Sequence, residues 1–262
     1  MEFDLRIRLP NGIVGALLAA VVLPALLAQE KTPPKQSLVS VPFVGCPSDG
    51  QVGPLEVPNG TTKVVAVSQQ DAQRLAYYEA FRNGVLAPRG WHCFGVYGSG
   101  GSHLFVVPQS VDTSKVLSID RDLLGPAIVL SSDDGGTSGR FTVAEMIARV
   151  FPAFKALTKR VADEISPDQF PVGSFQGDRL TYTSKSQLEY VTPAQSDGMG
   201  TRSWLKKNDR PIAGVALLQW ETADHSQMPD LVQLAVRLPR ELSGLAPAII
   251  HQVEREVARD AK

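Results

Sequence analysis

Between Pro88 and His103 the sequence gathers Trp91, His92, Phe94, Tyr97, Ser99, Ser102 and His103 among Gly90, Gly95, Gly98, Gly100 and Gly101. A glycine-rich tip exposes backbone N–H groups that can cradle an anion or stabilise an oxyanion. Aromatic rings beside such a tip can stack on a sugar or a peptide. The same residues also have a plainer use, in which the glycines permit tight turns and the rings pack around a disulfide. Trp91, His92, Tyr97, Ser99 and His103 are the candidate binding residues, and no catalytic residue is assigned.

Serine hydrolysis needs a nucleophile, a base and an orienting acid. Ser99 or Ser102 with a histidine base, and the N–H groups of residues 98–101 as oxyanion donors, is the enzymatic alternative. Ser99 does not meet the Gly-x-Ser-x-Gly elbow, because Tyr97 stands two residues before it. Ser203-Trp204-Leu205-Lys206 matches Ser-x-x-Lys, but the Lys-Thr-Gly partner is absent. His92, His103, His225 and His251 are scattered, with no His-x-His or His-Glu-x-x-His among them, so no metal ligand is assigned. Asp133-Asp134-Gly135-Gly136 lacks the ligand spacing of a calcium loop and reads as a turn. No phosphate loop or dinucleotide fingerprint occurs, and no cofactor is expected. Arg202, Lys206, Lys207 and Arg210 surround Asp209 in a local basic patch that could meet an anionic lipid or glycan, or simply be a solvated loop.

Composition narrows the classes further. The 262 residues carry 26 basic and 27 acidic side chains for a net charge of -1. Nucleic-acid binders show a basic excess that is missing here, so no nucleic-acid partner is expected. At 43% hydrophobic the chain is too apolar for a disordered protein. With two cysteines it is no disulfide-framework miniprotein.

The N-terminus carries Arg6 and Arg8 ahead of an apolar run, Ile13 to Leu27, that ends at Ala28-Gln29. This is the pattern of a secretory signal peptide over residues 1–28. The competing reading is an uncleaved single-span anchor, for which the 17 residues from Gly12 to Ala28, with Pro24 among them, fall short of the roughly 20 apolar residues such a span needs. A periplasmic or secreted location follows, with membrane contact only through this segment if it is retained. Cys46 and Cys93 then meet an oxidising compartment and are expected to pair. Phe43-Val44-Gly45-Cys46 faintly resembles a lipoprotein box, but Gln29 to Ser37 separate it from the apolar run.

The elements that must position these residues read as follows. Residues 29–40 are a polar linker, and the Pro- and Gly-dense 41–60 an ordered coil clipped by Cys46. Lys63 to Val67 is a strand. Ser68 to Asp71 resembles a capping box for a helix with Leu75, Tyr78 and Phe81 on its buried stripe, stopped by Asn83-Gly84. Residues 88–108 form a hairpin with a glycine-rich tip, and Ala127 to Leu130 a short strand. Thr142 and Glu145 suggest a second capping box, for a helix that Pro152 kinks or divides. Leu180 to Thr183 and Leu188 to Val191 form another hairpin, and Ile212 to Trp220 a long apolar strand. Residues 231–238 alternate as a half-buried strand. The last helix carries Pro247 in its first turn, with Ile249, Ile250, Val253 and Val257 on one face. Helices and strands without strict alternation give an α+β class: a mixed, mainly antiparallel sheet with a few packed helices and one disulfide. Residues 41–262 form a single domain, with a candidate division into two lobes near 133–141.

Three stretches resemble uncharacterised exported bacterial proteins: residues 41–51 around Cys46, residues 87–95 around Cys93, and Ala235-Val236-Arg237-Leu238-Pro239 with the helix after it. The resemblance implies an envelope protein without an assigned activity and transfers no catalytic residue. The function expected is therefore that of an exported, non-enzymatic binding or envelope-interaction protein. Its partner would be an envelope protein or a small ligand.

Overall fold

Val39 and Val41 point inward and Leu38 and Ser40 outward, the two-residue period of a strand with one buried face. In the computed structural model this is β1, Ser37–Gly45. The structure describes residues 37–109, 123–165, 173–202, 204–221 and 225–260, so residues 1–28, expected to be a signal peptide, lie outside the described residues. Lys35–Lys262 form one compact unit.

Residues Ser37 to Pro42 of β1 pair antiparallel with β3, Thr62–Val67. Phe43 to Gly45 then pair parallel with β4, Leu75–Ala80. Along Ser37–Pro42, β1 has a partner on one side only, the position where a strand tolerates proline. This corrects two expectations: residues 37–40 are strand rather than linker, and Pro42 does not force a coil. The irregular reading holds from Gln51 to Thr61, where the only pairing is a bridge from Leu55 to Ser48. Ser48 itself belongs to β2, Ser48–Gly50.

Ser68 does cap a helix, accepting the Asp71 N–H at 3.0 Å, but α1 spans only Gln69–Ala72. The expected long helix is two strands instead, β4 and β5 (Asn83–Pro88), joined through Phe81-Arg82. Leu75 and Tyr78 fit a helical stripe, but Ala76, Tyr77 and Ala80 are buried as well. A segment covered on both faces satisfies a strand between two layers, and no single helical face can hold all five.

Two sheets result. The four-stranded one runs β3-β1-β4-β5. The eight-stranded one runs β2-β6-β7-β8-β12-β11-β10-β9. Its strands are β6 (His92–Gly98), β7 (Gly101–Val107), β8 (Ala127–Asp133), β9 (Arg179–Tyr182), β10 (Gln187–Thr192), β11 (Ile212–Gln219) and β12 (Asp230–Arg237). Apart from the β1–β4 and β2–β6 pairs, the ladders between named strands are antiparallel, so the fold is α+β as expected.

The largest core cluster joins the four-stranded sheet to one face of the larger sheet, with Tyr78, Val85 and Leu86 meeting Leu104, Ile128, Val215 and Leu234. The last helix, α5 (Ala246–Asp260), enters the same cluster through Ile249, Ile250 and Val253. Its Gln252 Oε1 accepts the Leu86 N–H at 2.9 Å, which satisfies a donor of the edge strand β5. The opposite face is covered by α2 (Arg140–Val150), through Val143, Met146, Ile147 and Val150, and farther along by Leu205 and Trp204. Between two such layers β12 is buried on both faces, not half-buried as its alternation suggested.

Helix α2 has Gly139 at its N-cap, and no side chain caps it; Thr142 and Glu145 lie inside the helix, so the second capping box does not form. Pro152 divides the helix as expected: α2 stops at Val150, a 3-10 segment covers Pro152–Leu157, and α3 runs Thr158–Ile165. A short α4, Met199–Arg202, follows β10. Residues 133–141 connect β8, a strand of the eight-stranded sheet, to α2, which packs on that same sheet.

The disulfide forms. Cys46 and Cys93 bond across 47 residues with Cα atoms 5.4 Å apart, joining the β1–β2 connection to β6 and so one sheet to the other. Its sulfur leaves no thiol at Cys46 for a lipid. A second long-range clamp is Arg237, fully buried at the end of β12. Its guanidinium donates to the carbonyls of Leu123, Gly125 and Lys206, tying two returning loops to the sheet. Burial holds its pKa below the usual arginine value.

Candidate functional site

The residues suspected from sequence sit on or beside the β6–β7 hairpin, but strand alternation sends them to opposite faces. Tyr97 and Ser102 are cross-strand partners, as are Val96 and His103. The Tyr97 ring lies 5.0 Å from Phe81, and its hydroxyl donates to the Gly53 carbonyl. Ser102 is buried and its Oγ accepts the Asn83 amide at 2.9 Å. Trp91 precedes the strand, half-buried against the main core, and its backbone N–H donates to the Tyr78 hydroxyl at 3.1 Å. His92 is exposed. These side chains do not converge on one surface.

The glycine tip also turns inward. Gly100 offers its carbonyl to the Asp134 N–H at 3.1 Å, and Ser99 Oγ lies 3.2 Å from Ser138 Oγ. A Cβ on Gly101 (φ 140°) would come within 2.0 Å of the Ser132 carbonyl oxygen, and one on Gly139 within 2.2 Å of that of Gly100. Close approach of two backbones is what these glycines provide. Among the described residues no histidine hydrogen-bonds Ser99 or Ser102, so the hydrolase arrangement is not assembled at either.

His103 instead pairs with a serine that the sequence did not single out. Its Nδ1 lies 2.8 Å from Ser131 Oγ, and its ring meets the Trp204 ring edge-on at 5.7 Å. Ser131 is 5% exposed in the middle of β8, a poor position for attack on a substrate. Two residues on, Asp133 pairs with Gly101 at the hairpin's end, and burial pushes its carboxyl up to about 7. Ser203, of the Ser-x-x-Lys match, lies outside the described residues. The basic patch is largely neutralised: Arg202 pairs with Glu145, Lys207 with Asp197 at 2.7 Å, and Arg210 stands 3.9 Å from Asp209.

The other end of the large sheet is built differently. Pairing of Gln187 with Leu217 and of Glu189 with Val215 puts these four residues on one face, where Val215 and Leu217 belong to the core cluster shared with α5. A cleft of about 380 Å³ opens there. Leu217, Leu218, Val257 and Ala258 give it apolar walls, and Ser186, Gln187, Gln219 and Glu221 supply polar groups. Trp220 and His225 form one rim, their rings stacked 4.2 Å apart, with Phe154 4.8 Å from Trp220. The Trp220 Nε1–H donates to the Gln227 carbonyl at 3.0 Å, which anchors that rim.

One helical turn along α5 from the cleft, His251 and Glu254 meet Glu189 of β10. One ligand atom from each lies within 4.8 Å of the other two. His251 and Glu254 share a face of the helix at i, i+3. Gln187, which lines the cleft, donates its Nε2–H to Glu254 Oε1 at 2.8 Å. Burial, and then the charge of Glu189, push the Glu254 pKa up; His251, the Gln187 bond and Arg255 pull it down. An imidazole and two carboxylates are donors that a divalent ion accepts. No ligand set was assigned to His251 from sequence. The His-x-x-Glu spacing on an amphipathic helix was visible there, but nothing showed which strand lies opposite.

No protein-family model matches the chain, and no curated protein or solved structure matches it either.

Proposed function

We propose that the protein is an exported, non-enzymatic binding protein of a bacterial envelope, and that the cleft between β10–β11 and α5 takes its ligand. The observation that carries this reading is the cleft's composition: apolar walls, amide, hydroxyl and carboxylate groups, and an anchored aromatic rim in one concavity. Ligand sites combine an apolar lining with a few placed polar groups in this way. A small molecule with hydroxyl or amide groups on one side and an apolar face on the other, such as a saccharide, is the matching chemistry. Export is supported by the N-terminal pattern of residues 1–28 and by the disulfide, which persists in oxidising compartments. Among the described residues no helix is long and apolar enough to cross a membrane.

Native mass spectrometry of the protein released gently from its own envelope tests the reading. A discrete non-covalent small-molecule mass is expected, lost in Gln219→Ala and Glu221→Ala proteins that melt like the wild type. Retention of that mass in both variants, or a stoichiometric protein partner in place of a small molecule, would overturn it.

A further inference from the structure

We infer that Glu189, His251 and Glu254 form a binding site for one divalent transition-metal ion, of which Zn²⁺ is the best match. The inference goes beyond the ligand reading of the cleft and does not depend on it.

The donor set comes first. Zinc takes histidine nitrogen and carboxylate oxygen at about 2.0–2.2 Å, and three protein ligands leave a fourth position for water or substrate. Ligands at those distances stand roughly 3.4 Å from one another in a tetrahedral shell. The three groups lie within 4.8 Å, so closure needs about an ångström of side-chain rotation. All three residues are half-buried, so an ion can enter without opening the fold.

Electrostatics supplies a separate argument. The chain places two carboxylates, Glu189 and Glu254, side by side, where their negative charges repel. Among the described residues neither carboxylate has a lysine or arginine within ion-pair distance. Arg255 acts on Glu254 through the field alone, and its own guanidinium donates to the Ala66 carbonyl at 2.6 Å. His251 makes no hydrogen bond to a described residue, which leaves an imidazole lone pair for a ligand bond. A dication turns the repulsion between the carboxylates into attraction to a shared centre.

The surroundings fit as well. The Gln187 amide fixes Glu254 from behind, as outer-shell hydrogen bonds orient metal ligands. With no thiolate in the set, a soft monovalent ion is disfavoured.

Calorimetric titration of the chelator-stripped full chain with Zn²⁺ at neutral pH tests the inference. One ion per chain is expected, with Glu189→Gln, His251→Gln and Glu254→Gln each weakening binding by at least about tenfold. Glu221→Gln and His225→Ala, at the neighbouring cleft, should bind as the wild type does. Zn²⁺ should raise the melting temperature of the wild type and of His251→Cys, which restores a zinc donor, but not of His251→Gln. Co²⁺ in place of Zn²⁺ should give the visible absorption of a four-coordinate ion. Absence of Zn²⁺ uptake by the folded wild type, equal uptake by all three ligand variants, or tighter binding of Ca²⁺ than of Zn²⁺ would each overturn it. Zinc is itself the probe, so failure here is distinct from absence of an organic ligand in the cleft.

Discussion

The β6–β7 hairpin and the β10–α5 groove stand toward opposite ends of the eight-stranded sheet, and they use their polar side chains in opposite ways. In the hairpin, Tyr97 is bonded to Gly53, Ser102 to Asn83, His103 to Ser131, and the glycine tip to the 134–139 turn. Folding has consumed what looked like chemistry. In the groove, Glu189, His251 and Glu254 face one another with no ion pair among them, beside a cleft with its own polar lining. There the fold brings two carboxylates and an imidazole together and gives them, among the described residues, one hydrogen bond, from Gln187 to Glu254. A dense run of glycine, serine, histidine and aromatic residues marks a crowded turn as readily as a site. What separates the two is whether each polar group has been satisfied.

The contrast can be broken by experiment. Removing the disulfide that clips the hairpin to the small sheet, by Cys46→Ser with Cys93→Ser, should lower unfolding stability by about 4 kcal/mol through chain entropy. Urea unfolding with and without reductant measures it, and a loss below about 1 kcal/mol would mean that the hairpin is held by packing alone. Next in size, Trp91→Ala should cost about 2 kcal/mol, for a ring half-buried against the core. Tyr97→Phe should cost about 1 kcal/mol for one hydrogen bond. Glu189→Gln, in the groove, should stay within about 0.5 kcal/mol of the wild type. Unchanged stability in both hairpin variants would erase the distinction between the regions.

A further effect depends on pH. Burial raises the Asp133 carboxyl from 3.8 to about 7, so between those values the folded state keeps a proton that the unfolded chain has lost. Stability from this group is therefore full below about pH 4, falls as pH rises toward 7, and is flat above. Asp133→Asn should match the wild type in melting temperature near pH 4. It should exceed it near pH 8 by the equivalent of about 1 kcal/mol, discounted for partial solvent access. Equal melting at both pH values would show that the hairpin's end is open to water.

Much of this architecture was legible in the sequence. The glycine-tipped hairpin, the strand at 212–219, the division at Pro152, the final helix and the cysteine pair all follow from local pattern. The misreadings share a cause. Leu75, Tyr78 and Phe81 fit a helical stripe only while the burial of Ala76, Tyr77 and Ala80 is unknown, and that burial comes from layers remote in sequence. Pro42 argued against a strand because nothing local shows that β1 has one open side there. The groove failed to announce itself for the same reason. Two residues of its His-Glu-Glu cluster lie on one helix, but the third comes from a strand that only tertiary packing sets opposite.

The position of the disulfide has a consequence for resistance to proteolysis. The stretch from Gln51 to Thr61 is largely exposed and almost without regular structure, the kind of segment that proteases cut first. Both cysteines flank it, Cys46 before and Cys93 after. A cut there opens the chain but not the molecule: each half keeps one sulfur of the bond, and the strand ladders of both sheets stay in register. A nick in this loop leaves the two pieces covalently joined for as long as the disulfide stays oxidised.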